Sequence, residues 1–238
     1  IFVLSIITVL YPTLSKMAAE HNMDGFRKSL IDSVTGISIF IIPATIGTML
    51  FTSQIVSLLF GRGAFDFQAL KMTSDALLFY SLGMLGVGFR DVLVRAFYSL
   101  QDSKTPMINA SAGMVINIVL NIVLSKYLGI GGLALATSIA ATVTTFFLFI
   151  SLRKKIGPLG MKKISISFIK ILLASLIMGG LSKFSFNYLT TYFSQNLSLL
   201  FAICVGAIVY FIIIYFMKIK EVDVITEGIK KKLGKRVE

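Results

Sequence analysis

The stretch at residues 197–217, LSLLFAICVGAIVYFIIIYFM, contains no charged side chain and decides the class of this protein. A helix that crosses a bilayer needs roughly 20 consecutive, mostly apolar residues, and this stretch supplies them. A membrane-barrel strand would be about 10 residues long and would alternate polar with apolar residues. No such alternation is present, so the stretch predicts a transmembrane helix.

Comparable apolar stretches recur along the whole chain and are separated by short polar segments. Complete spans are predicted at 33–60, 74–99, 107–127, 133–152 and 164–181, and residues 1–11 predict the end of another helix, stopped near Pro12. We therefore predict an all-α, polytopic integral membrane helical bundle with about six full transmembrane helices plus the end of a seventh. The chain opens with Ile1 inside an apolar run, so we expect further residues upstream.

The remaining segments are predicted as connectors. They are a polar connector at 15–32, a basic cytoplasmic linker at 153–163 with Gly and Pro, and a basic cytoplasmic tail at 218–238. Pro43 lies inside a predicted span and predicts a kink there. In the tail, apolar residues at helical spacing predict either a short amphipathic helix on anionic lipid headgroups or a disordered basic anchor; they are Val222, Ile225, Ile229 and Leu233.

Composition excludes several classes of function. Hydrophobic residues make up 56% of the chain and charged residues 14%, against about 25% charged residues in a typical soluble domain. The net charge of +12 does not indicate nucleic-acid binding, because no folded polar domain is present to carry a basic patch. The single cysteine, Cys204, excludes a disulfide framework. No ligand cluster, nucleophile elbow or phosphate-cradling loop is visible, so the residues do not predict an enzyme.

The basic residues predict the orientation of the helices in the membrane. Sixteen of them fall on one side: Lys16, Arg27, Lys28, Lys104, Arg153, Lys154, Lys155, Lys162, Lys163, Lys218, Lys220, Lys230, Lys231, Lys232, Lys235 and Arg236. Only Arg62, Lys71, Lys126 and Lys183 fall on the other side. Cytoplasmic loops carry the excess of Lys and Arg, so the first side and the C-terminus are predicted to be cytoplasmic.

One predicted span, 74–99, carries three charges, Arg90, Asp91 and Arg95. Charges inside a span are costly and need a reason, either structural or functional. Asp91 and Arg95 are four residues apart, a spacing that predicts an ion pair on one helix face. Arg90 points about 100° away from Asp91 on a helical wheel, so it is the better candidate to face a hydrated cavity or an anionic substrate.

The next span carries a polar stripe, because Asn109, Gly113, Asn117 and Asn121 recur every four residues. Amides facing lipid would lack partners, so the stripe is predicted to face protein or water. Two interpretations stay open. The amides form hydrogen bonds between helices, or their carbonyl oxygens line an ion or substrate path together with Thr137 of the following span.

Four short motifs resemble those of one family. YPTLS at 11–15, LFGRGAF at 59–65, RAFYSLQDSKTP at 95–106 and GGLALATS at 131–138 are similar, in order, to motifs of the lipid II flippase (MurJ/MviN) family. The third motif is the most specific and resembles the family's cytoplasmic turn between two helices. It contains the motif residues Phe97, Tyr98, Gln101, Asp102, Lys104 and Pro106.

The resemblance implies a member of the MATE-like flippase superfamily, with two six-helix lobes around a central cavity and two extra C-terminal helices. Residues 1–152 would form part of the second lobe, and 164–217 would form the extra pair, which in the family borders a lipid-tail groove. The implied function is to move lipid II, an undecaprenyl-linked cell-wall precursor, from the inner to the outer leaflet of the bacterial cell membrane. Cell-wall synthesis proteins are further implied partners.

The resemblance also implies a sodium site, which some family members form from an Asn and an Asp one turn apart, a Thr in the next helix and an Asp from a helix outside this sequence. The corresponding candidates here are Asn117, Asn121, Leu133 and Thr137. Asn121 replaces the Asp and removes one formal charge.

Two alternatives to lipid II transport remain open at this stage. The first is another lipid-linked oligosaccharide flippase or a MATE-like exporter, because a fold does not determine its cargo. The second is a non-transporting membrane scaffold for envelope assembly. A vesicle flipping assay separates transport from a scaffold.

Overall fold

The computed structural model describes residues 2–63 and 65–217, and these form an all-helical bundle. The eight helices in this part of the chain are α1 (Phe2–Ala19), α2 (Met23–Leu50), α3 (Thr52–Phe60), α4 (Phe67–Ser99), α5 (Lys104–Leu128), α6 (Ile130–Ile156), α7 (Met161–Leu189) and α8 (Gln195–Phe216). Six of them, α2 and α4 to α8, are long and apolar enough to cross a membrane. The predicted fold class is confirmed. The tail prediction at 218–238 lies outside the described residues.

Helix α1 corrects the prediction that a helix stops near Pro12. It continues to Ala19, because Leu10 and Leu14 lie one turn apart on a face that is buried against α2 and α4. Burial of such side chains outweighs the loss of one backbone donor at proline. The predicted connector at 15–32 is also mostly helical. Only three residues separate α1 from α2, which begins where the Asn22 side chain accepts a hydrogen bond from the Gly25 N–H at 2.9 Å.

The predicted single span at 33–60 is two helices, separated at Phe51. The Phe51 backbone (φ −120°, ψ 20°) leaves the helical region, and its buried ring packs edge-on against Phe186 of α7 with centroids 5.5 Å apart. Leu199 and Ala202 of α8 complete this small apolar cluster. The break therefore places an aromatic anchor at the point where α2 meets the C-terminal helix pair.

Three further helix boundaries lie four residues or more from the predicted ones. Helix α4 begins at Phe67 instead of 74, because the Asp66 side chain caps it by accepting from the Ala69 N–H at 2.8 Å. The predicted linker at 153–163 is helical up to Ile156, and Gly157 and Gly160 adopt positive φ in the short connection that follows. Helix α7 extends to Leu189 instead of 181.

The tightest helix pair is α4 with α6, and small residues permit its close approach. Gly83 and Gly86 of α4 lie against Ser138 and Thr142 of α6. The Ser138 hydroxyl donates to the Phe79 carbonyl at 2.6 Å, and the Thr145 hydroxyl donates to the Gly86 carbonyl at 2.7 Å. Small residues and hydroxyl bonds are the usual means of holding helices together in lipid, where apolar burial gives no drive for association.

Candidate functional site

The charged segment of α4 pairs differently from the prediction. The Arg90 guanidinium lies 3.5 Å from the Asp91 carboxylate, and both side chains are about two-fifths exposed. The Arg95 guanidinium instead lies over the Tyr11 ring of α1, 5.9 Å from its centroid. The expected Asp91–Arg95 pair is therefore wrong, because a partner on another helix draws Arg95 away. Arg90, expected to lack a partner, has one in Asp91.

Asp91 also lines a cavity of about 440 Å³ between α2, α4 and α6. Its lining includes Tyr80, Met84 and Val87 from α4 and Thr137 from α6. Asp91 of the charged segment and Thr137 of the candidate cation site therefore line the same cavity. The sequence predicted both sets but gave no indication that they share a cavity.

The polar stripe of α5 faces α6, in agreement with the prediction that it faces protein or water. Asn109 donates to the Ser151 hydroxyl at 3.3 Å, and Gly113 packs against Thr144. Farther along, Asn117 donates to the Thr137 hydroxyl at 3.3 Å. Two of these three contacts, those of Asn109 and Asn117, are hydrogen bonds between helices, as the first of the two interpretations expects.

The four cation-site candidates lie together around that last contact. Asn121 donates to the Asn117 carbonyl oxygen at 3.0 Å, and Thr137 donates to the Leu133 backbone carbonyl at 2.9 Å. The Asn121 carbonyl oxygen is buried and has no hydrogen-bond partner among the described residues. Such an oxygen is free to accept a cation, and the buried hydroxyl oxygens of Thr35, Thr45, Ser74 and Ser198 also lack a hydrogen-bond partner among the described residues.

The oxygen atoms of these four residues are of the type that binds a hard monovalent cation, because amide, hydroxyl and backbone carbonyl oxygens are hard ligands. All four candidates are neutral, however. Within residues 2–63 and 65–217, no group of three His, Cys, Asp or Glu side chains is placed to hold a metal ion. Charge compensation for a cation would have to come from an acid outside this group.

The motif turn between α4 and α5 is built around Asp102. Its carboxylate accepts from the Thr105 N–H at 2.9 Å, from the Thr105 hydroxyl at 2.8 Å and from the Lys155 ammonium at 2.5 Å. The hydrogen bond from Lys155, followed by that from the Thr105 N–H, lowers the pKa of Asp102 to about 2. Asp102 thereby ties the start of α5 to the end of α6.

The other motif residues have separate places in this turn. Phe97 is fully buried and its carbonyl accepts from the Leu100 and Asp102 N–H groups, both at 3.0 Å. Gln101 adopts a positive φ of 58°, which lets the chain reverse. Pro106 is buried in the first turn of α5, where its missing N–H costs little, while Tyr98 and Lys104 are exposed.

The Asp102–Lys155 pair yields a testable pH dependence. Because the folded pKa lies below the ordinary value of 3.8, the pair stabilises the fold above about pH 4. That contribution is lost as the pH falls from about 4 to 2. Lys155 is exposed, so we expect Lys155→Met to lower the free energy of unfolding by only about 1 kcal/mol at pH 7.

Chemical unfolding of the wild type, Lys155→Met and the adjacent control Lys154→Met is the measurement. The difference between the wild type and Lys155→Met should shrink from pH 7 to pH 3, and Lys154→Met should match the wild type throughout. A difference that does not change with pH would contradict the assigned pairing.

Two contacts of the C-terminal helices were missed by the sequence analysis. The Tyr210 hydroxyl of α8 donates to the Ile39 carbonyl of α2 at 2.6 Å, and the Lys183 ammonium of α7 donates to the Leu50 carbonyl at 3.4 Å. Pro43 was a signal for the first contact, because it leaves the carbonyl four residues earlier without a helical donor. Nothing in the sequence identified the donor.

A second cavity, of about 320 Å³, lies beside these contacts between α2, α3, α7 and α8. Its walls are almost wholly apolar and include Phe40, Pro43 and Gly47 from α2 and Ala207 and Phe211 from α8. The lipid-tail groove that the resemblance implies beside the C-terminal pair stays a prediction, and this apolar cavity lies next to that pair.

Comparison with known proteins gives a consistent family. The model of the lipid II flippase MurJ family matches residues 1–228. A probable lipid II flippase MurJ of Thermotoga maritima is 32% identical over 223 residues, which cover 94% of this chain and 44% of that protein. The lipid II flippase MurJ of Thermosipho africanus is 31% identical over 212 residues, or 89% of this chain and 41% of that protein.

A solved structure agrees with the sequence matches. A lipid II flippase MurJ in an inward closed conformation superposes with a TM-score of 0.76 at 31% identity, covering 91% of this chain and 43% of that one. The chain thus spans less than half the length of these relatives. The order of the motifs, the helical architecture and the matched residues lead to one conclusion: this chain, a multi-pass membrane protein, belongs to the MurJ lipid II flippase family.

Proposed function

We propose that this chain is part of a flippase that moves lipid II from the inner to the outer leaflet by alternating access. The observation that carries the proposal is the family match over residues 1–228. In this proposal α1 to α6 belong to one lobe, the second of two, and α7 and α8 are the extra C-terminal pair. Alternating access requires a second bundle that rocks against the first about a site between them.

The apolar cavity and the charged segment of α4 support a lipid-linked anionic substrate. The apolar cavity beside α8 suits the undecaprenyl chain, because transfer of hydrocarbon to apolar walls is favourable. The charged segment of α4 supplies Arg90, whose guanidinium suits the pyrophosphate of the substrate. Arg90, Asp91 and Arg95 are therefore proposed as substrate or cavity residues, with Arg90 first among them.

Reconstitution in vesicles tests the proposal. The native-length protein should move fluorescent lipid II across the bilayer, whereas a polypeptide of residues 1–238 alone should not, because it supplies one bundle. Transport of another lipid-linked oligosaccharide in place of lipid II would favour a related exporter. Absence of transport by the native-length protein, with binding of cell-wall synthesis proteins retained, would favour a scaffold.

The orientation of the helices is a further part of the proposal. We predict that the connectors near Asp24, Lys104 and Gly157 are cytoplasmic and that Phe65 and Asn187 face outside, because the basic residues concentrate on the first side. In a cysteine-free background, Asn187→Cys should react with a membrane-impermeant thiol reagent in intact cells and Lys104→Cys should not. Reaction of Lys104→Cys from outside would reverse the proposed orientation. With the C-terminus on the cytoplasmic side, the basic tail would also be close to anionic lipids.

We propose a weak sodium site that is linked to the cavity and is formed by Asn117, Asn121, Leu133 and Thr137. The orphan oxygen of Asn121 supports it, and the neutral donor set limits its affinity. Three or four neutral oxygens hardly offset the dehydration of a cation, so an acid from another part of the native-length protein is required. The sodium would supply positive charge next to Thr137, which lines the same cavity as Asp91.

We predict that sodium raises the thermal stability of the native-length protein slightly more than potassium does, because a bound ligand stabilises the folded state. The sodium effect should strengthen in Asn121→Asp, which restores a negative charge, and disappear in Asn117→Ala. Thermal unfolding across a sodium titration measures it, with Asn109→Ala as the control from the same stripe. Equal effects of sodium and potassium on all four proteins would leave only the packing interpretation.

A further inference from the structure

We propose that Tyr210 is a positioning residue that controls a hinge in α2, with Pro43 as the pivot. The hinge would join the part of α2 before Pro43, which packs against α1 and α4, to the part after Pro43, which leads into α3. Three observations carry the inference: the hydrogen bond at the pivot, a second break farther along, and a cavity beside the segment between them. It concerns the conformation of the chain and depends on the proposed flippase function only for its consequence in transport.

The first observation is the contact at the pivot. Pro43 has no N–H, so the Ile39 carbonyl cannot form the usual bond to residue 43 in the helix. The Tyr210 hydroxyl supplies the missing donor at 2.6 Å, and both Tyr210 and Ile39 are almost completely buried. A hydroxyl on α8 therefore completes the backbone hydrogen bonding of α2.

The second observation is the break at Phe51, where α2 ends and α3 begins. Here the Lys183 ammonium of α7 donates to the Leu50 carbonyl at 3.4 Å and lies 5.3 Å from the centroid of the Phe51 ring. Cations are favourable beside the last carbonyls of a helix. The segment 43–50 is thus bounded by two backbone defects, and each one is held by a side chain of the C-terminal pair.

The third observation is the apolar cavity of about 320 Å³ that this segment lines. Within this segment Pro43, Ala44, Gly47 and Thr48 line it, and the α8 lining includes the small residue Gly206. A cavity on one side leaves room for the segment to change its orientation on that side, whereas Ile46 and Leu50 pack against Gly179 of α7. Movement about Pro43 would change the width of this cavity, and hence its capacity for hydrocarbon.

The inference follows from what the hydroxyl does energetically. With Tyr210 in place, the orientation of α2 that keeps the Ile39 carbonyl bonded is favoured. Without the hydroxyl, this buried carbonyl is left unsatisfied, and orientations that give it another partner become relatively more stable. The C-terminal pair would then set the population of hinge states, and Tyr210 is the residue through which it acts.

Spin labels at Lys28 and Ser53 of the native-length protein test the proposal, because both are exposed and they flank the pivot on α2 and α3. At 1.5 Å per residue their backbones would be roughly 38 Å apart if α2 and α3 formed one continuous helix. The break at Phe51 also lies between the labels, so replacements at Pro43 are needed to assign a change in this distance to the pivot. We expect Tyr210→Phe to raise the population of an alternative distance about fivefold, as the loss of one hydrogen bond predicts.

A double replacement makes the test specific. In Pro43→Ala the alanine N–H can bond to the Ile39 carbonyl, so Tyr210→Phe combined with Pro43→Ala should return the distribution to that of Pro43→Ala alone. Tyr188→Phe, which removes an exposed hydroxyl from α7, should leave the wild-type distribution unchanged. An unaltered distribution in Tyr210→Phe, or failure of Pro43→Ala to suppress its effect, would overturn the proposal.

Two remaining outcomes are also decisive. If Tyr210→Phe does not fold, the double variant should fold under the proposal, and its failure to fold would show that the hydroxyl has another role. If the native-length protein does not move lipid II while the distances change as expected, the proposed transport function fails and the hinge stands.

Discussion

Replacement of Gly83 by leucine should prevent the bundle from assembling. A Cβ atom at Gly83 would lie 2.6 Å from the Ser138 hydroxyl oxygen and 2.7 Å from the Ser138 Cα atom, which is backbone and cannot rotate away. Helix α4 would have to separate from α6, and the Ser138 hydrogen bond to the Phe79 carbonyl would be lost with it. Overpacking of this kind costs about 1–3 kcal/mol even for added methylenes, so little folded protein should remain.

The yield of monodisperse protein after extraction, and its thermal stability, are the measurements. Gly83→Ala should be intermediate, because the smallest side chain already meets the α6 backbone. Gly180→Leu is the matched control, since Gly180 is exposed on α7 and a Cβ there meets nothing within 4 Å. Equal yields of Gly83→Leu and Gly180→Leu would contradict the close packing of α4 on α6.

The sequence predicted the class of the helices and the number of full spans, because span length is a local property. Roughly 20 apolar residues are required to cross a bilayer, whatever the partner helices are. Helix ends were less predictable, as Pro12 illustrates. The cost of proline in a helix is local, but the burial that offsets it depends on Leu14, which meets residues distant in sequence. The break at Phe51 has the same origin, because its anchor, Phe186, lies on α7.

The candidate site was predictable as a set of residues and not as a set of contacts. Spacing placed Asn117 and Asn121 on one face, and the structure has them hydrogen-bonded at 3.0 Å. Spacing also favoured Arg95 as the partner of Asp91, and this was wrong. Helical periodicity cannot reveal that Tyr11, on another helix, lies within reach of Arg95. Contacts between helices require the tertiary fold.

Loss of Arg90 is expected to have the larger effect of the two arginines on transport. Arg90→Ala should reduce the initial rate of lipid II movement at least about tenfold, the size expected if one charge-assisted contact to the substrate is lost. Arg95→Ala should have a mild effect, because Arg95 is exposed and its guanidinium is held over Tyr11 rather than beside the cavity residue Asp91. The measurement is flipping of fluorescent lipid II by native-length protein in vesicles, at matched protein levels.

The Arg90–Asp91 pair requires a control, since removal of Arg90 also leaves Asp91 without its partner at 3.5 Å. If the arginine acts on the substrate, Arg90→Ala combined with Asp91→Ala stays as slow as Arg90→Ala alone. If it only neutralises Asp91, the double variant recovers transport, because no charge is left uncompensated in the span. Arg90→Lys refines the comparison, because lysine keeps the charge and loses the planar fork that suits a pyrophosphate. If Arg90→Lys, which keeps the charge, still transports more slowly than the wild type, Arg90 acts in recognition of the substrate. If the double variant recovers transport, Arg90 acts in the stability of α4.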